Sequence, residues 1–209
     1  MKVKDFIKLG KQLLPLLPGF VVNRSLIFRY PIGDTLQGLW FDRSADANCF
    51  YLSTFLLPLY VPREFFGVSH GNRIGHAVNW RADNPNLSVD ISEAVCHEAI
   101  PFLDTISTAD GLLNYLKMEV DNKKPHVNSN QLEDLAYALI MNGDYTAALE
   151  ALAEQRQRLE NSTIDWVVEQ RNRAQLMEEK LLNSPEIALE QLDVWKAETI
   201  RNLGLEKYC

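Results

Sequence analysis

Cysteine is scarce in this chain, with three copies, Cys49, Cys96 and Cys209, and no CxxC spacing among them. An odd count without that spacing supports neither a disulfide framework nor a zinc knuckle, so the thiols read as reduced. No apolar run reaches the roughly 18 residues that a membrane span needs. A zinc pattern, a phosphate loop and a dinucleotide fingerprint are absent, no nucleophile elbow is expected, and no cofactor or metal is implied. Lysine and arginine are outnumbered, leaving a formal net charge of −7. The imbalance is local: residues 1–125 carry 13 basic and 13 acidic side chains, residues 126–209 carry 8 and 15. An acidic surface repels phosphate backbones, which excludes nucleic acid as the partner of the C-terminal part and favours a basic protein. The N-terminal residues are basic, but Asp5, Lys8 and Lys11 interrupt any signal-peptide core, so a cytoplasmic location without membrane attachment is expected.

What the chain does contain is a run of strand signals from Gly19 to Tyr60. Leu26, Phe28 and Tyr30 alternate with Ile27 and Arg29, a two-residue period rich in the side chains that suit a pleated surface. Leu36, Gly38 and Trp40 alternate with Gln37, Leu39 and Phe41 in the next run. Phe50 to Tyr60 is apolar almost throughout, which suits a strand covered on both faces. Turn residues separate the runs at 23–25, 31–34 and 44–48. Connections this short join antiparallel neighbours, because a parallel crossover needs a dozen residues or more. A meander of three to five strands follows, begun by Gly19 to Asn23.

Helical periods surround the meander. Val3, Phe6, Ile7, Gly10, Leu13, Leu14 and Leu17 form one apolar side of a helix over residues 1–17, stopped by Pro15 and Pro18-Gly19. Asp90-Ile91-Ser92-Glu93 has capping-box spacing ahead of a further helix that Pro101 kinks, and Ser107 to Asp110 opens another. The polar stretch 122–128 marks a linker. Beyond it, Asn130-Gln131-Leu132-Glu133 caps a helix ended by Gly143, Asp144 opens the next, and two more run from about Thr163 to Leu182 and from Ser184 onward, where Ser184-Pro185-Glu186 combines a cap, a first-turn proline and an acidic residue. The chain therefore reads as α+β: residues 1–121 form an N-terminal helix and antiparallel sheet with covering helices, and residues 129–209 form an acidic antiparallel helical bundle packed on it.

Within the first part, the segment 64–80 is the one most open to chemistry. It places Glu64, His70, Arg73 and His76 among Gly67, Gly71 and Gly75, an arrangement suited to a small ligand or a hydrolytic site. The glycine spacing matches no nucleotide motif, and two histidines six apart match no common zinc spacing.

Two resemblances accompany these patterns. The string from Leu132 to about Gln155, with its Gly-Asp-Tyr turn and alanine-rich second helix, resembles a single tetratricopeptide hairpin, which implies a helical-hairpin adaptor. A lone hairpin cannot form the concave groove of such arrays. Over residues 1–120, Gly19-Phe20, Phe28-Arg29, Gln37-Gly38-Leu39-Trp40-Phe41-Asp42-Arg43-Ser44, Phe50-Tyr51-Leu52-Ser53 and Ile100-Pro101-Phe102-Leu103-Asp104 resemble a group of small bacterial domains of unknown function that look like toxin-immunity proteins. That likeness implies a non-enzymatic binder that neutralises a cognate toxin, and it transfers no functional residue. The expected contacts to a basic toxin domain are Asp144, Glu150, Glu154, Glu160 and Asp165, with Tyr145, Trp166 and Trp195 as aromatic anchors.

Overall fold

A computed structural model describes residues 2–75, 79–123, 126 and 128–209. The chain divides into two compact units, one comprising Met1–Leu57, Phe66–Thr105 and Leu205–Cys209, the other Pro58–Phe65 and Ile106–Gly204.

The first unit holds the meander. Strands β1 (Phe20–Asn23), β2 (Leu26–Arg29), β3 (Thr35–Arg43), β4 (Cys49–Pro58) and β5 (Trp80–Arg81) form one antiparallel sheet in the order of the chain. Arg24, with φ of 55°, makes the tight turn between β1 and β2. Alternation sorts the side chains: Ile27 pairs with Leu39, and with Phe41, Phe50 and Leu52 they meet Phe6, Leu9 and Leu13 of α1 (Val3–Leu13). Phe6 stacks on Phe41 with centroids 5.4 Å apart. Ile91 and Ala94 of α2 (Leu87–Ala94) close the same layer. Phe28 lies on the opposite face, edge-on to Tyr208 at 5.0 Å, and Phe66 caps Phe55 there at 5.3 Å. Both faces are thus covered, which is why β4 is apolar nearly end to end.

Several boundaries differ from the sequence expectation for local reasons. α1 stops at Leu13 and a single 3₁₀ turn carries Leu14–Leu16, because Pro15 has no N–H for a continuing helix. α2 begins at Leu87, not at Asp90. Asn84 accepts from the backbone N–H of Asn86 and donates to Asp90, so the turn that starts the helix is built three residues earlier. A π-helical turn over Val95–Ala99 precedes α3 (Ile100–Thr105), re-registering the backbone just before Pro101. β5 is too short for a periodic signal.

The second unit is helical: α4 (Ala109–Lys123), α5 (Ser129–Met141), α6 (Tyr145–Leu159), α7 (Asp165–Asn183) and α8 (Pro185–Asn202). Its range includes both α4 and the polar stretch 122–128; the division falls at Thr105 and Ile106, since α4 packs on α5. α5 also meets α6 and α8, α6 meets α7, and α7 meets α8, which closes a ring of four helices. The cap of α5 is Asn128, in a reciprocal capping box with Gln131, two residues ahead of the expected one. Asp144 and Gly143, with φ of 79°, serve the α5–α6 turn as expected.

The closest backbone approach in the sheet is at Gly38, where an added Cβ would lie 1.9 Å from the Ile27 carbonyl oxygen. Gly38→Ala is expected to cost upwards of about 2 kcal/mol of stability or to prevent folding, measured by urea unfolding, because the obstacle is backbone that cannot swing aside.

Candidate functional site

The second unit carries all the net charge: by sequence it holds 11 basic and 18 acidic residues, leaving 10 and 10 in the first. Within it, a groove of about 180 Å³ runs among α4, α5 and α6. Leu132, Leu135 and Leu139 recur on one side of α5 and form its floor, while Ala147 and Ala151 of α6 are too small to fill the space above them. Its rim carries Lys117, Asp121, Glu150 and Glu154. Glu154 pairs with Arg158 at 2.7 Å, and Glu150 is exposed and makes no ion pair with any described residue. An apolar trough with an acidic rim can take an apolar side chain and retain cationic neighbours beside it.

The expected contact residues are therefore not one set. Glu150 and Glu154 line the groove. Asp144 accepts from the Ala147 N–H at 3.4 Å as the cap of α6 and lies 3.7 Å from Lys117, so it shapes the rim indirectly. Tyr145 is half-buried beside it. Glu160, Asp165 and Trp166 do not line the groove; Trp166 is 58% and Ile164 56% exposed at the start of α7. Trp195 is buried and packs on Tyr137 with centroids 5.5 Å apart, so it belongs to the core and not to a surface anchor.

The interior of the ring holds carboxylates that pattern reading overlooked. Glu133 accepts from Arg173 Nε at 2.9 Å and Nη2 at 3.2 Å, from Gln170 Nε2 at 3.0 Å and from the Tyr137 hydroxyl at 3.2 Å. Burial opposes the charge on Arg173, yet the Glu133 carboxylate holds its guanidinium above the ordinary value. Burial first, then the same carboxylate, push the Tyr137 phenol well up. Asp134, fully buried, receives Arg63 Nη2 at 3.2 Å. Arg63 is itself fixed by its backbone, through its N–H to the Thr199 hydroxyl at 3.2 Å and its carbonyl from Asn202 at 3.1 Å. Among the described residues no group of acidic, histidine or cysteine side chains could hold a metal ion.

Residues 70–74 of the 64–80 segment are more ordered than the neighbouring glycines suggest. The Leu56 N–H donates to His70 O at 3.0 Å, Thr54 N–H to Asn72 O and Ile74 N–H to Leu52 O at 2.9 Å each, so residues 70–74 run antiparallel along β4. Gly71, with φ of +136°, permits this, since a Cβ would meet the Thr54 carbonyl at 2.1 Å. His70 is buried, and Arg73 is exposed with its guanidinium 3.8 Å from the Tyr51 ring centroid. Glu64 is exposed and belongs to the range of the other unit, and His76 lies outside the described residues. A recess of about 290 Å³ borders the segment, lined by Gly75, Asn79, Trp80, Arg81 and Asn84, without His70 or Arg73.

By residue type, Gly67-Val68-Ser69-His70-Gly71 does satisfy the GxSxG spacing of a nucleophile elbow, contrary to expectation. The elbow requires a strand, a sharp turn and an immediate helix. Here Ser69 precedes backbone that pairs with β4, and among the described residues the next helix begins at Leu87. Cys49 is buried and donates to Asp46 at 3.3 Å; burial and that carboxylate push its thiol up, the opposite of what a nucleophile needs. Cys96, His97 and Glu98 are exposed on the π-helical turn.

Compared with family models, curated proteins and solved structures, the chain matches none. No helix among the described residues is long and apolar enough to cross a membrane.

The buried ion pair and the groove predict separable behaviour. Arg173→Met leaves the Glu133 carboxylate buried with one partner set removed and is expected to cost about 3 kcal/mol in denaturant unfolding. Glu133→Leu combined with Arg173→Met is expected to recover part of that loss, since no charge is then left unpaired although the Tyr137 hydroxyl loses its acceptor.

Proposed function

We propose that this protein acts by binding another protein rather than by catalysis, and that its partner presents a basic surface to the helical unit. The observation that carries this reading is the groove with a leucine floor and a rim containing Asp121, Glu150 and Glu154, in the unit that holds the whole net charge. Opposite charge accelerates encounter and sets orientation, while the apolar trough supplies burial for an anchoring side chain. Such a division of labour suits a neutralising protein of the toxin-immunity kind, in which a basic enzymatic domain is blocked by an acidic binder. The likeness of residues 1–120 to domains of that kind supports the same reading.

The test begins with a stoichiometric partner isolated from the native cell and measures its affinity for the purified chain. Glu150→Lys with Glu154→Lys is expected to weaken binding about tenfold or more, mainly through slower association, and to flatten its salt dependence. Ala147→Trp, which fills the trough, is expected to raise the dissociation rate. Unchanged affinity in both variants, with folding intact by circular dichroism, would overturn the assignment of this surface. Turnover of a substrate by the chain alone would overturn the non-catalytic reading.

A further inference from the structure

Arg29, the last residue of β2, pairs across the sheet with Phe20 of β1, and its guanidinium carbon sits 5.1 Å from the Phe20 ring centroid. Its only ion pair among the described residues is with Asp104, and the separation of 3.8 Å exceeds hydrogen-bond length. Arg29 Nε is buried and has no hydrogen-bond partner. That one buried nitrogen, on a side chain otherwise 36% exposed, is unfavourable until an acceptor arrives, and a guanidinium fork matches a carboxylate. Beside it lies a recess of about 260 Å³ whose other walls are Leu16, Leu17, Pro18, Phe20, Ile100 and Leu103.

We propose that the recess beside Arg29 binds a small amphiphile with a carboxylate head and an apolar tail, of the medium-chain fatty acid class. The head group follows from the charges present. Arg29 is the single cation on the wall and Asp104 stands next to it, so a monoanion is accommodated where a phosphate dianion meets repulsion. The tail follows from the six apolar walls, and the small class of molecule from a volume below the roughly 300 Å³ at which drug-sized pockets begin. This site lies in the first unit and is independent of the protein-binding groove.

Octanoate is the probe, titrated into the full chain by calorimetry with hexanoate and octanol alongside. Saturable octanoate binding is expected, weakening roughly fourfold for each methylene removed. Arg29→Met is expected to weaken octanoate by about tenfold or more while leaving octanol unchanged. Asp104→Asn, which removes the competing carboxylate, is expected to tighten it. Ile100→Trp, which narrows the recess with Arg29 intact, guards against a folding defect in the arginine variant and is expected to abolish binding. The proposal is overturned by no saturable octanoate binding, by equal affinity for octanoate and octanol, or by affinity that survives both Arg29→Met and Ile100→Trp.

Discussion

The middle of α5 is enclosed: every residue from Gln131 to Ile140 is buried, and two of them are the carboxylates Glu133 and Asp134. Burying a carboxylate without partners is costly, and removing its partners destabilises the fold, so the rest of the helical unit is arranged to supply them. Arg173 and Gln170 from α7 answer Glu133, and Arg63 answers Asp134. Arg63 comes from residues 58–65, which Thr199 and Asn202 of α8 hold by hydrogen bonds to backbone at Val61 and Arg63. The buried middle of one helix thereby dictates where two other helices and a distant stretch of chain must lie. Its leucines at 132, 135 and 139 then form the groove floor, so the proposed binding surface rests on the most constrained element of its unit.

The sheet unit is governed by aromatic packing instead of charge. Phe6, Phe41 and Phe50 meet within 5.9 Å of one another by ring centroid on one face. Phe28 with Tyr208, and Phe55 with Phe66, fill the other. The tail also bonds to the sheet unit through the Ile32 N–H and the Tyr208 carbonyl, at 2.9 Å. Along the outer edge of β4, residues 70–74 and β5 take up backbone groups that would otherwise be open to another strand. This gives the glycine-rich segment an architectural role.

Charge and apolar surface separate the two functional proposals. The groove is bordered by carboxylates and suits a cationic protein surface, whereas the Arg29 recess presents one cation within apolar walls and suits a small monoanion. Neither requires bond-making by the chain. Burial and the Asp46 carboxylate push the Cys49 thiol up, and Ser69 precedes backbone paired with β4, so neither side chain has the setting of an activated nucleophile.

Local periodicity was sufficient for the meander, the helices and the α+β class, because the two-residue alternation around Ile27 and Phe28 and the three- and four-residue stripes of α1 report which side of an element meets apolar neighbours. Proline, glycine and aspartate placed the ends of α1 and of the α5–α6 turn to within a few residues for the same reason. Pairings between distant residues were decided only by the tertiary structure. Nothing near Arg63 marks Asp134, nothing near Glu133 marks Arg173, and Glu150 is distinguished from Glu160 only by which helices lie beside it. A charge pattern reports that a helix is polar; whether a given carboxylate caps, rims a groove or sits sealed in a core depends on contacts that residues close in sequence do not make.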